Sequence, residues 1–161
     1  SDIRETYGQE QVARRGLGVG ERQTVQASVL FPDQADELVL LWRQDAPFER
    51  LAEVRAYRAD GRWHGPLGVK VGLPLDQLRE INGKDFSFHG FEWDYSGLVN
   101  DWQGGAISER TQLYLTAEQP EALLPELLGD ELYPWDHPRA QEAGLKVGSI
   151  VWMFDEEEPL Q

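Results

Sequence analysis

The chain has 161 residues and no cysteine, with 40% hydrophobic residues, six tryptophans and a formal charge of −14. That length suits one domain with a real core, the aromatic content excludes a disordered chain, and the missing thiols exclude disulfides, thiolate metal sites and cysteine nucleophiles. The acidity makes nucleic acid and anionic membrane poor partners, and no apolar run approaches the roughly 18 residues that cross a bilayer.

In chain order, "GLGVG" (16–20) reads as a flexible turn before the first strand. In "TVQASVLF" (24–31), Val25, Ala27, Val29 and Phe31 fall on one face of a strand. "FPDQAD" (31–36) follows as a turn, with Asp33 expected to bond the backbone ahead. "ELVLLWR" (37–43) is apolar on both faces and reads as a central strand. "AEVRAYR" (52–58) is another strand, closed by the "ADGR" turn (59–62). "GVKV" (68–71) is expected to be a short strand before a helix in "LPLDQLREING" (73–83), where Pro74 suits the first helical position and Gly83 the left-handed cap. Strands are expected over 86–91, 97–102, 111–116 and 149–154. Two further helices are expected, in "PEALLPELLG" (120–129), bent at Pro125, and in "WDHPRAQEAG" (135–144), capped by Asp136 and stopped by Gly144. The run "DEEE" (155–158) reads as a solvated acidic tail covering 155–161.

"IRETYGQE" at Ile3 and "LREINGKD" at Leu78 share an order of residue types: apolar, Arg, Glu, two variable positions, Gly, a polar residue, an acid. Both sit where a helix would end on glycine and hand over to a strand. The echo suggests an internal duplication, with a truncated first repeat over 1–66 and a second over 67–154. A strand and helix start supplied from upstream of Ser1 is part of that expectation.

The stretch "GVKVGLPLDQLREINGKDFSFHGFEWDYSGLVNDWQGG" (68–105) resembles a family of uncharacterised bacterial secreted or lipoprotein-type domains. The shared pattern runs through Gly68, Gly72, Leu78, Asn82, Gly83, Lys84, Phe86, Gly90, Phe91, Trp93, Asp94, Tyr95, Gly97, Trp102, Gly104 and Gly105. Leu73 stands where the pattern prefers a hydroxyl, and Glu92 and Ser96 stand where it prefers glycine. The resemblance implies an α+β sheet domain of extracytoplasmic bacterial origin, periplasmic or outer-membrane-anchored, with a targeting or anchor segment removed ahead of Ser1. It implies no activity. At fold level the strand–turn–helix is similar to modules of β-lactamase inhibitor proteins, which are binders.

"KDFSFHGFEWDYSG" (84–97) carries the candidate site. Strand alternation sends Phe86 and Phe88 inward and places His89 with Phe91 and Trp93 on one face, Glu92 and Asp94 on the other. "WDYSG" (93–97) reads as a turn in which Asp94 bonds the backbone ahead and Gly97 relieves strain. A structural reading packs these rings into a hairpin. A binding reading exposes Trp93, Asp94, Tyr95 and Trp102 to a partner or a sugar ring. A catalytic reading would use Glu92 and Asp94 as the carboxylate pair of a glycoside hydrolase, with His89 beside them. No motif supports it: His64, His89 and His137 are scattered, and "DQADE" (33–37) lacks the order of a calcium loop. Trp135 in "PWDHP" (134–138) is expected to tuck against the sheet. The expectation is therefore one α+β domain, a mainly antiparallel twisted sheet with short helices on one face. Its expected role is non-catalytic recognition of a basic protein or envelope component, without metal or cofactor. The alternative is a carbohydrate-binding or glycoside-cleaving domain.

Overall fold

The computed structural model describes residues 3–18 and 24–154. The acidic tail, the end of "GLGVG" and Ser1 lie outside the described residues. The chain groups into two compact units, one reaching to Trp63 and resuming at Val151, the other spanning His64–Ile150. No helix among the described residues is long and apolar enough to cross a membrane.

The architecture is α+β and mainly antiparallel. Unit 1 opens with a short helix α1 (Ile3–Tyr7), then runs through β1 (Val12–Gly18), β2 (Thr24–Leu30), β3 (Leu38–Trp42) and β4 (Leu51–Ala56). Consecutive strands pair antiparallel, so these four form a meander. The register follows the hydrophobic pattern: Ala27, Val29, Val39 and Leu41 share one buried face, with Ala13, Leu17 and Val25 packed on it. Leu38–Leu41 are buried on both faces, as a central strand requires. Two local expectations change. Gly16–Gly18 belong to β1, because seven paired positions along β2 outweigh the weak strand preference of glycine. Among the described residues the Asp33 carboxylate does not bond ahead; its own N–H donates to the buried Glu37 at 2.6 Å.

Unit 2 contains α2 (Leu75–Asn82), β5 (Ser87–His89), β6 (Thr111–Ala117), β7 (Leu132–Pro134), α3 (Pro138–Ala143) and the first part of β8 (Leu145–Met153), which continues into unit 1. The expected strand over 97–102 shrinks to two bridging residues, yet they connect the sheet. Leu98 and Val99 pair with Tyr114 on β6 and Phe88 on β5, and β7 closes the far side of β5.

Three other expectations are corrected. Residues 68–71 are not a strand: Leu67 and Gly68 both take left-handed φ (66° and 81°), which breaks an extended run. Pairing with β8 begins one step later, through Gly72 and Leu73 to Val147. The 120–129 helix reduces to a 3₁₀ turn at Pro120–Leu123, because Pro125 has no N–H to continue it. The cap of α3 is His137, whose Nδ1 accepts from Arg139 N–H at 3.1 Å, while Gly144 stops the helix in the left-handed conformation as expected.

The echoed segments both end a helix on a positive-φ glycine, Gly8 (φ 87°) and Gly83 (φ 74°). Gly8 then runs extended (ψ 146°) while Gly83 turns back (ψ −2°). The duplication finds no further support among the described residues.

Candidate functional site

Most of the pattern residues serve a buried junction. α2 presents Leu75 and Leu78 to the core and ends on Gly83, whose N–H donates to Arg79 O at 2.9 Å. This ending leaves Asn82 only 1% exposed. Its amide donates to the carbonyls of Lys84 (2.9 Å) and Trp102 (3.0 Å), and accepts from Ile107 N–H (3.2 Å). One side chain thus ties the end of a helix to a loop 20 residues on. Gly105 lies so close that a β-carbon there would strike the Asn82 side chain. Trp102 is 2% exposed, donates its indole N–H to Thr111 O at 3.0 Å, and meets Phe86 edge-on at 5.4 Å. Trp102 was expected among the exposed anchors, but it is core: its ring and its polar atom are both satisfied inside.

The turn after β5 behaves differently. Phe86 and Phe88 point inward as alternation predicts, at 3% and 0% exposure. Alternation then breaks, because the strand ends at His89. Gly90 approaches the 127–131 loop too closely for any side chain, and its N–H donates to Glu131 O. Phe91 consequently turns inward onto Phe88, 6.2 Å between centroids, and parts from His89. His89 instead packs under Trp93 (5.5 Å) and Tyr95 (6.1 Å), which meet each other edge-on at 5.2 Å. Trp93 is half-buried, its indole N–H donating to Gly90 O at 2.8 Å. Tyr95 is the outer ring, 53% exposed.

Glu92 and Asp94 flank these rings and are exposed. Asp94 does not bond the backbone as expected. The turn is held by Ser96, whose Oγ accepts from Glu92 N–H at 3.2 Å, and by Gly97 (φ 74°). The two departures from the glycine pattern therefore bond to each other. Glu92 itself has φ 64°, a left-handed conformation that costs a side-chain-bearing residue about 1 kcal/mol or more. Among the described residues, neither carboxylate accepts a hydrogen bond, and neither is bonded to His89. The Nδ1 of His89 is buried without a hydrogen-bond partner. The catalytic alternative thus gathers its residues on one turn but links none of them as an acid–base pair.

Beyond β5, a groove of about 380 Å³ opens beside β7, with Asp85, Ser87, Pro134, Trp135 and Asp136 in its wall. Trp135 is half-buried beside the β5–β7 ribbon, its N–H donating to Phe86 O, and Arg79 lies over its ring: the guanidinium is 5.7 Å from the ring centroid and bonds Asp85 at 2.8 Å. The neighbouring Tyr133 hydroxyl titrates above its ordinary value, first because burial disfavours the phenolate and then because Glu131 and Asp130 repel it. Sequence reading missed this groove because it needs β7, a three-residue strand with no periodic signal. The two prolines around Trp135 were the available cue.

Among the described residues, no three His, Asp or Glu side chains gather as a metal site would. No protein-family model, curated protein or solved structure matches this chain. The functional reading therefore rests on the geometry.

Proposed function

We propose that this chain is a non-catalytic recognition domain of the bacterial cell envelope, periplasmic or anchored to the outer membrane, that binds a basic protein through the turn following β5. One observation carries the reading. The three-ring cluster of His89, Trp93 and Tyr95 reaches the surface at Tyr95, and the carboxylates of Glu92 and Asp94, on either side of Trp93 in the chain, are exposed and not hydrogen-bonded within the described residues. Tyrosine and tryptophan make good anchors because they bury much area with few rotors. Carboxylates beside them favour a cationic side chain, through cation–π attraction and charge pairing together. The net charge of −14 would speed encounter with a basic partner. The same rings offer a sugar less: Trp93 meets Tyr95 edge-on at 81°, so the cluster presents one open ring rather than a flat platform.

The test is retention of a basic protein from bacterial envelope extract by the immobilised domain. Wild type should hold such a protein and release it as salt rises. Tyr95→Ala, with its circular dichroism unchanged, should lose it. Equal retention by the folded variant, or retention that salt does not weaken, would overturn the proposal.

A further inference from the structure

β1 is the outermost strand of unit 1: it pairs with β2 along one side, and no described strand pairs with the other. The phase of the β1–β2 ladder fixes which of its main-chain groups lie open. Phe31 N–H donates to Gln11 O at 2.7 Å, so Gln11 faces β2, and Ala13, Arg15 and Leu17 face it in turn. The N–H and C=O of Arg14, Gly16 and Gly18 therefore point away from the sheet. Val12 points the same way, but its N–H is taken by Gln9 O. Among the described residues no hydrogen bond reaches the outward groups of Arg14 or Gly16.

Open edges are commonly blunted by a proline, a bulge, short length or charge. β1 has no proline, and its seven residues pair with β2 in unbroken register. What it has is charge. Arg14 and Arg15 are adjacent and exposed, and alternation sets them on opposite faces. Arg14 lies over the Phe48 ring, 4.1 Å from its centroid. Neither guanidinium has a carboxylate partner among the described residues, although the chain holds 29 acids to 15 lysines and arginines. By contrast Arg43, Arg55, Arg58 and Arg62 of the same unit are each paired with an acid. Two copies meeting along β1 would bring four guanidinium groups together, which disfavours self-pairing. An acidic strand meets no such penalty.

We infer that the open edge of β1 binds an extended acidic segment of a partner protein, which adds to the sheet as an antiparallel strand. An apolar residue of the segment sits opposite Leu17, which packs on the core cluster of unit 1. Two adjacent carboxylates, two and three residues further on, sit opposite Arg15 and Arg14. Main-chain bonds to Arg14 and Gly16 supply affinity, and side-chain pairs on both faces supply selection. The net charge of −14 slows the approach of such a segment. The contact itself is local: β1 carries no acid, and at physiological salt charges beyond roughly 8 Å are largely screened. This edge is a second binding surface, with the opposite charge preference to the turn after β5 and no dependence on it.

The probe is a dye-labelled peptide with the core leucine–threonine–glutamate–glutamate, flanked by threonines. It is titrated with the full chain at physiological salt and read by fluorescence anisotropy. It should bind roughly ten-fold more tightly than its glutamine counterpart. Methylating the nitrogen of the core threonine, opposite Gly16, should abolish binding, because that N–H faces β1. Methylating the nitrogen of the first glutamate, opposite Arg15, should leave binding intact, because that N–H faces away. Arg15→Glu, at an exposed position, should reverse the preference toward a peptide with lysine in place of the first glutamate. Tyr95→Ala should change nothing. Equal binding of the two methylated peptides, or of the glutamate and glutamine peptides, would overturn the inference. Loss of binding in Tyr95→Ala would place the peptide at the turn and overturn it too. So would an absence of peptide binding, whether the chain sediments as a monomer or as a dimer closed along this edge.

Discussion

Two groups of rings lie within 17 residues of one another in this chain, and they meet opposite fates. Phe86, Phe88, Phe91 and Trp102 are each at most 6% exposed. At the junction they surround, the Asn82 amide and the Trp102 indole are both satisfied by backbone groups. His89, Trp93 and Tyr95 form the second group. There the outer ring is open, two carboxylates face water, and a glutamate occupies a left-handed conformation. The first region is organised for stability, where every buried polar group needs a partner. The second keeps a side-chain-bearing residue in a left-handed conformation, braced by the Ser96 hydroxyl, and leaves its outer ring open, which is how recognition sites often differ from the scaffold that carries them.

The contrast can be broken from the core side with the largest effect. Phe88→Ala removes a ring with 0% exposure and should cost about 3–5 kcal/mol by chemical denaturation. A loss below about 1 kcal/mol would mean that the ring does not hold this core together. Next comes Asn82→Ala, which strips the Lys84 and Trp102 carbonyls and the Ile107 N–H of their partner. At about 1–3 kcal/mol for a buried group left unpaired, a cost of roughly 3 kcal/mol is expected. Amide exchange at Ile107 should accelerate with it. Unchanged exchange there would separate Asn82 from the 102–107 loop.

The smallest effect has the opposite sign. Glu92→Gly relieves the left-handed strain and should stabilise by up to about 1 kcal/mol, less what glycine adds to the entropy of the unfolded chain. The same substitution should weaken binding of a basic partner. A variant that is both more stable and an equal binder would show that Glu92 has no part in recognition.

Much of this was legible from residues alone. Alternation placed Phe86 and Phe88 inside, the two-faced apolar run at 38–42 gave a central strand, and Gly83 and Gly144 marked helix ends. The candidate turn was visible as a density of rings and acids. Which rings stay outside was not. Trp102 and Tyr95 are both aromatic residues near turns. What separates them is a carbonyl at Thr111 and a ring at Phe86, both supplied by tertiary neighbours. Sequence reading gave Asp94 the role of bracing the turn, and only the folded backbone gave it to Ser96.

The order of residue types by itself determined the α+β class, most strand positions and the helix stops, because period, glycine and proline act over a few bonds. Tertiary structure alone decided that β1 absorbs its glycines, that residues 68–71 are not a strand, and that β7 exists to carry the groove. The first and last depend on pairing with another strand, whose hydrogen bonds outweigh local preferences of a few tenths of a kcal/mol per residue, and the second on the left-handed backbone at Leu67 and Gly68.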